Sequence, residues 1–273
     1  MRLSYSKYES YLSCPRRYKL QMDRVEPPQK ESKYFALYGI LIQIFFQHYA
    51  NTYLLKGVAI DKDNLRNVLH NYWSSVLEDE YVNWNDPWVR QTESEIFEEV
   101  YSDALKNMEV IDFWTQCRSE VSIEIRLKKS KDVLSSRIDF VRTLPDGSVE
   151  ILDGKSTKHL DRPNSDQLMF YALLYFLRNK KLPKRLGWLF YRYQTVKYID
   201  FDADKLIQFK NKLALAKKAM KVDTLFEPKV KLSTTCKWCP YQLTCEAFLT
   251  KKQANAEKRG KINADTSGDI VYL

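Results

Sequence analysis

A mixed α/β fold, one sheet with helices packed on it, is predicted by three features of the chain. Between residues 121 and 127, Val121, Ile123, Ile125 and Leu127 alternate with polar or charged residues, the period of a half-buried strand. The turn-forming run Leu144-Pro145-Asp146-Gly147 separates two more strands, about 133–143 and 148–153, which makes an antiparallel meander of three. Before and after these strands, apolar residues recur at helical spacing.

The elements follow in order. Ser4 or Ser6 is placed to cap a short first helix carrying Tyr8, Tyr11 and Leu12, which stops at Cys14-Pro15. A second short helix runs from Arg16 toward Met22, and Pro27-Pro28 closes the pair. Residues 34–55 carry Phe35, Leu37, Leu41, Ile42, Phe45 and Phe46 and read as a buried helix with Gly39 inside it. Helices are expected over about 62–80 and 87–117, then the three strands, then a helix opening at Pro163 and reaching Asn179. Strands over about 187–193 and 196–201 and a helix over 202–220 complete the core, and the polar segment from Thr250 is expected to fray.

A chain of 273 residues, 44% hydrophobic and 29% charged, is long enough for one substantial core with elaborations. The +9 net charge suits a polyanionic partner such as nucleic acid. No run reaches the ~18 apolar residues of a membrane span, and the N-terminus lacks a signal-peptide apolar region, so a cytoplasmic protein with no membrane partner is expected. Charge is uneven: nine acidic residues between Glu78 and Asp103 face only Arg90, whereas Lys205 to Lys231 is lysine-rich and could flank a phosphate-lined groove. Solvated helix faces would explain both.

Asp153-Gly154-Lys155, at the end of the apolar strand Val149-Glu150-Ile151-Leu152, is the chemically richest stretch. Strand alternation puts Lys155 on the same side as Asp153, and Asp139 on the neighbouring strand offers a second carboxylate. Two carboxylates hold a divalent cation, and a lysine beside them orients an attacking water, which is the apparatus for phosphodiester hydrolysis. A solvated turn is the plain alternative.

Five cysteines stand at 14, 117, 236, 239 and 245. An odd number argues against a disulfide framework. Cys236, Cys239 and Cys245 fall within ten residues and need a fourth ligand, for which Cys14 is the candidate. Spacing leaves zinc and an iron–sulfur cluster both open. Cys117 stands outside the pattern, as a buried packing residue.

Taken in order, Ser4-Tyr5-Ser6 leading to Cys14-Pro15, Gly39 in its helix, Arg137-Ile138-Asp139, Asp153-Gly154-Lys155, Gln167 with Tyr171, and the three C-terminal cysteines resemble the RecB-like branch of the PD-(D/E)XK nucleases, in its iron–sulfur form (the AddB nuclease domain and the CRISPR adaptation exonucleases). The resemblance implies a restriction-endonuclease-like mixed sheet flanked by helices, with an N-terminal helical insertion. It implies a single nuclease domain in five stretches: an N-terminal segment 1–30 with the first cluster cysteine, a helical region 31–118, a catalytic sheet core 119–222, a cluster-binding segment 223–249 and a flexible tail 250–273. By the same resemblance Asp139 and Asp153 bind Mg2+ or Mn2+ with the carbonyl of Gly154, Lys155 serves the water, Gln167 and Tyr171 form a Q-x3-Y motif beside the site, and Cys14, Cys236, Cys239 and Cys245 hold a structural 4Fe-4S cluster joining the N- and C-terminal segments, with zinc as the lesser alternative.

One position departs from that pattern. Four residues after Gly39 the family places a metal-ligating histidine, and here Gln43 stands there. An amide oxygen is a neutral donor that Mg2+ and Mn2+ accept, and weaker metal binding is expected. His48 lies about 140° around the helix from Gln43 and does not replace it, and neither His70 nor His159 is placed to do so. Glu120 and Glu124 precede the catalytic hairpin, as assisting acids or solvent-facing strand residues.

The expected activity is a metal-dependent deoxyribonuclease, an exonuclease on DNA ends or single strands, with Tyr191 and Tyr193 guiding the strand and a helicase or recombination protein as a possible partner. A catalytically weak DNA-binding or scaffolding subunit of the same fold is the alternative.

Overall fold

In the computed structural model, residues 1–28, 33–54, 56–57, 60, 62–85, 89–110, 116–160, 163–232, 235–236 and 239–266 are described. They divide into two compact units, Met1–Tyr5 with Ser32–Ala214, and Ser6–Glu31 with Leu215–Leu273.

The larger unit holds one six-stranded sheet. Strands β2 (Cys117–Arg126), β3 (Val133–Thr143) and β4 (Val149–Lys155) form the expected antiparallel meander. Helix α6 (Asp166–Asn179) crosses over to β5 (Arg185–Phe190), which lies parallel to β4, and β6 (Thr195–Tyr198) returns antiparallel to β5. The two-residue strand β1 (Arg2–Leu3), too short for any periodicity to show, pairs parallel with β3 at Val133 and Leu134.

Along β3 one edge is taken by β2 throughout. The other is shared: β4 pairs with it only from Phe140 to Thr143, and β1 only at Val133 and Leu134. Among the described residues, 135–139 therefore have no ladder partner on that edge, although β4 itself continues to Lys155. The ladder opens where the predicted site residues stand.

Helices α3 (Leu37–His48), α4 (Lys62–Asp79) and α5 (Glu93–Glu109) build the core against one face of the sheet. Leu41, Phe45 and Phe46 of α3 pack with Leu65, Leu69, Val100 and Ala104 and with Phe140, Leu152 and Leu189 of the sheet. A capping box at Thr92 and Glu95 starts α5 by satisfying helix-terminal N–H groups. Gly39 stands close to the end of β4: a Cβ there would lie 2.6 Å from Ser156 Oγ, so a larger residue would have to turn that hydroxyl aside. Helix α6 packs on β2, β3 and β4.

Several boundaries differ from expectation. The helix expected over 34–55 is a short 3-10 turn at Tyr34–Ala36, then α3, then a π turn at Tyr49–Leu54; position 55 lies outside the described residues. The helix expected to reach 117 ends at Glu109; residues 111–115 lie outside the described ones, and Cys117 already opens β2. The strand expected to run to 193 stops at Phe190 and gives way to a 3-10 turn, Tyr191–Tyr193, closed by Gln194 at φ +44°. Helix α6 begins three residues after Pro163, and α7 covers Ala203–Val222. Polar residues from Thr250 continue α8 (Glu246–Thr266) rather than leaving the helix.

In the smaller unit, α1 (Tyr5–Ser13) and α2 (Pro15–Met22) meet the C-terminal segment. Tyr11 donates to Asp223 Oδ2 at 2.8 Å, Tyr241 donates to the Val25 carbonyl at 3.0 Å, and the Tyr18 ring lies against Tyr11 and Phe226. Cys14 is the extended N-cap of α2 with Pro15 at its first position, where the missing N–H is harmless.

Phe46 is fully buried and stacks on Tyr191, with centroids 5.5 Å apart. Phe46→Ala should cost about 3–5 kcal/mol, read from urea midpoints, whereas Leu215→Ala, at a side chain 72% exposed, should change stability by less than about 0.5 kcal/mol.

Candidate active site

Alternation along β4 sends Asp153 and Lys155 to the α6 face and Gly154 to the α3 face. Asp139 lies where β3 has parted from β4, and its side chain takes over a bond the ladder would have made: the Gly154 N–H donates to Asp139 Oδ2 at 2.9 Å.

On the α6 face a polar chain links these residues. Lys155 is ion-paired with Asp153 Oδ2 and donates to Gln167 Oε1 at 3.4 Å. Gln167 Nε2 donates to the Tyr171 hydroxyl at 2.8 Å, which donates to Asp139 Oδ1 at 3.4 Å. The four-residue spacing of Gln167 and Tyr171 puts both on one face of α6, so the helix closes a ring through Asp153, Lys155, Gln167, Tyr171, Asp139 and Gly154. All five residues expected to carry chemistry are brought together.

Asp153 is 1% exposed and Asp139 is half-buried beside it. Burial first, and then the Asp153 charge, push the Asp139 carboxyl well above the ordinary carboxylate range; the Gly154 N–H and Lys155 only partly offset this. The pair is an electrostatically costly arrangement that a cation would relieve. Tyr171, raised by burial and by the same two carboxylates, remains a hydroxyl donor.

Gln43 approaches from α3. Its Oε1 accepts from the Tyr191 hydroxyl at 2.6 Å, and both atoms press on Gly154: a Cβ there would stand 2.6 Å from Gln43 Oε1 and closer still to the Tyr191 oxygen. Glycine at 154 follows from this crowding.

Two roles are corrected. Tyr191 is 1% exposed beneath α3, so it offers no face to a base, whereas Tyr193 is 41% exposed. Glu120 is half-buried rather than solvent-facing, gripped by Gln47 at 2.8 Å and Arg137 at 3.2 Å, and its φ of +51° turns it out of the strand's regular alternation, directly before Val121 pairs with Ile138. Burial and nearby Asp139 raise its pKa. Glu124 is an exposed partner of Arg2. The helix spacing of Gln43 and Gln47 was the available signal for this second contact; the left-handed backbone at Glu120 had none.

The histidines do other work: His48 lies against Tyr72, His70 stacks on Phe97 at 4.1 Å, and His159 is exposed. The acidic run is not merely solvated, since Glu98 pairs with Arg66, Glu99 with Arg192, and Asp103 accepts from buried Tyr38. In the lysine-rich stretch, Lys205 and Lys212 are ion-paired.

In the smaller unit Cys14, Cys236, Cys239 and Cys245 line one cavity of about 30 Å³ with Arg17 and Tyr241. All four are free thiols, and the Lys231 N–H points at Cys236 Sγ at 3.3 Å. Burial, with Cys14 and Cys236 nearby, raises the Cys239 pKa. Among the described residues no three Cys, His, Asp or Glu side chains stand at mutual metal-binding geometry. Cys117 is 1% exposed, as expected of a packing residue.

The family model described as "PD-(D/E)XK nuclease superfamily" matches residues 2–246. Among solved structures, a protein of Eubacterium rectale described as a "Putative exonuclease" is 10% identical, with 81% of this chain and 80% of that chain covered and a TM-score of 0.51. A protein designated SSO0001 is 12% identical over 90% of this chain and 86% of its own, with a TM-score of 0.38. No curated protein matches the chain. The family match takes in Asp139, Asp153, Lys155 and all four clustered cysteines, and the chain belongs to the PD-(D/E)XK nuclease superfamily.

Proposed function

We propose that this protein is a divalent-metal-dependent deoxyribonuclease of the RecB-like iron–sulfur branch, acting as an exonuclease on DNA ends or single strands. The observation that carries the reading is the closed ring of Asp153, Lys155, Gln167, Tyr171 and Asp139 at the open end of the β3–β4 ladder. Asp139, Asp153, the Gly154 carbonyl and Gln43 are an all-oxygen donor set, suited to Mg2+ or Mn2+. A cation held there supplies charge against the scissile phosphate and acidifies water. Lys155 has three donors, of which Asp153 and Gln167 take two; the third is left for water or a phosphate oxygen. Gln167 and Tyr171 hold that amine and Asp139 in place.

The net charge of +9 favours a polyanionic substrate, and Tyr193 is the exposed ring for base stacking. A helicase or recombination protein is the class of partner that would supply single strands. In the described residues no helix is long and apolar enough to cross a membrane.

Four soft thiols line one cavity, one from the start of α2 and three from the C-terminal segment, and are the donor type that a 4Fe-4S cluster tying the two segments would take. Its role is structural, because binding across so long a chain separation removes much unfolded-state entropy.

A second reading, a weakly catalytic DNA-binding subunit, is favoured by the amide at position 43. End-labelled DNA separates the two: with Mg2+ or Mn2+ the wild type should release short products, and Lys155→Ala should be slower by about 10²–10³-fold. Equal rates would sink the mechanism, and DNA bound but uncut by both would favour the scaffold.

Anaerobically purified protein should contain iron and acid-labile sulfide, with Cys245→Ser losing both and melting lower; zinc without sulfide would overturn the cluster.

Metal-free stability should also report on the carboxylate pair. A carboxyl whose folded pKa is raised favours the fold while protonated and loses that contribution as pH rises, here between about pH 4 and about pH 7. Asp139→Asn should therefore stabilise the metal-free protein at pH 8 by on the order of 1–3 kcal/mol, with the gain vanishing toward pH 4 in denaturation curves. A pH-independent difference would contradict the electrostatic account.

A further inference from the structure

We propose that Tyr191 is a positioning residue for the cation site, whose buried hydroxyl fixes the Gln43 side chain with its carbonyl oxygen turned onto Gly154. The inference rests on the reading of Asp139, Asp153, Gly154 and Gln43 as metal ligands, and it assigns the element that makes Gln43 usable.

A glutamine amide has two ends of similar shape and opposite chemistry. Turned one way it offers oxygen to a cation; turned the other it offers N–H donors, which repel one. Gln43 sits on α3 and is only half-buried, so its own helix leaves that choice open. In the structure the Tyr191 hydroxyl donates to Oε1 at 2.6 Å, and this bond holds the amide in that one orientation. Oε1 keeps a second lone pair, and it stands 2.6 Å from where a Cβ on Gly154 would lie, at the residue between the two of β4 that the proposed reading assigns to chemistry.

The hydroxyl is itself held from its far end. The Tyr191 ring stacks on Phe46 at an interplanar angle of 6°. Its backbone carbonyl accepts from Asn107 Nδ2 at 2.7 Å and from Gln194 Nε2 at 2.8 Å. Asn107 is 2% exposed, and the same amide also donates to the Asp103 carbonyl within α5. A chain of contacts thus runs from α5 through the turn after β5 to α3 and the end of β4. Packing alone would be served by phenylalanine; the hydroxyl is the part that packing does not explain.

Mn2+ binding to the full chain, followed by calorimetry and by the electron paramagnetic resonance signal of free Mn2+, tests the assignment in a double-mutant cycle. Gln43→Ala should weaken binding about tenfold and Tyr191→Phe about three- to tenfold, and the double variant should bind like Gln43→Ala alone, because Tyr191 acts only through Gln43. Tyr191→Phe keeps the ring on Phe46, so the fold is retained. Wild-type affinity in Tyr191→Phe, or the same loss from it in the Gln43→Ala background, would overturn the positioning role. Asp153→Asn serves as the separate control: unchanged Mn2+ binding there would refute the cation site itself, whereas loss of binding there with an additive Tyr191 effect refutes only the positioning.

Discussion

Two carboxylates buried against one another, at the point where a β-ladder comes apart, are the constraint on which the arrangement of the larger unit depends. Asp139 and Asp153 repel, and burial strengthens the repulsion. The fold meets this cost with a backbone N–H from Gly154 and the ammonium of Lys155, both delivered by β4, and a phenol from Tyr171 on α6. Remove the opening of the ladder and Asp139 would have no Gly154 N–H to accept, because a regular β-pair would use that group itself. The unpaired stretch of β3 is therefore what admits a side chain between the strands.

Such a site tolerates no register error, since a slip of one residue in β4 would carry Asp153 and Lys155 to the α3 face and leave Gly154 facing Tyr171. The register is held upstream. Glu150, fully buried three residues before Asp153, accepts from Tyr198 at 2.7 Å and is paired with Arg185 at 2.9 Å and Arg142 at 3.4 Å. Beside it, Leu152 and Phe140 pair directly and both enter the core beneath α3. A polar anchor and an apolar one thus fix the strand before the candidate site begins.

How much of this was legible follows from which forces are local. The alternation of Val121 to Leu127 and the turn at Pro145-Asp146-Gly147 are properties of consecutive residues, and the meander they predict is present. The side shared by Asp153 and Lys155 follows from strand geometry, and the pairing of Gln167 with Tyr171 from helix geometry, so both could be read in advance. Tyr191 could not. Its burial depends on a 3-10 turn ending β5 early and on Phe46, 145 positions earlier in the sequence, and a tyrosine beside an exposed one carries no local mark of which is inside. The helix expected to reach Cys117 failed for a related reason: β2 begins among residues such as Ser119, whose burial is set by Gln47 and Asn51 of the α3 region, and not by its own polarity.

The amide at position 43 bears on which cation the proposed site would prefer. Imidazole and amide oxygen are both neutral, so exchanging one for the other leaves the charge of the donor set unchanged and alters only its chemistry. Nitrogen suits zinc, iron and nickel, whereas carboxylate and carbonyl oxygens suit magnesium, calcium and manganese. With Gln43 the assigned donors are all oxygen, which gives up strength but also gives up affinity for the transition metals that would otherwise outcompete magnesium. An amide makes that exchange only if its oxygen is the end presented, and nothing in the amide enforces this. The buried hydroxyl of Tyr191 donates to Oε1, and the Tyr191 carbonyl accepts from Asn107 of α5, so the orientation that the proposed site requires of the amide is held by a residue that follows a strand far along the chain.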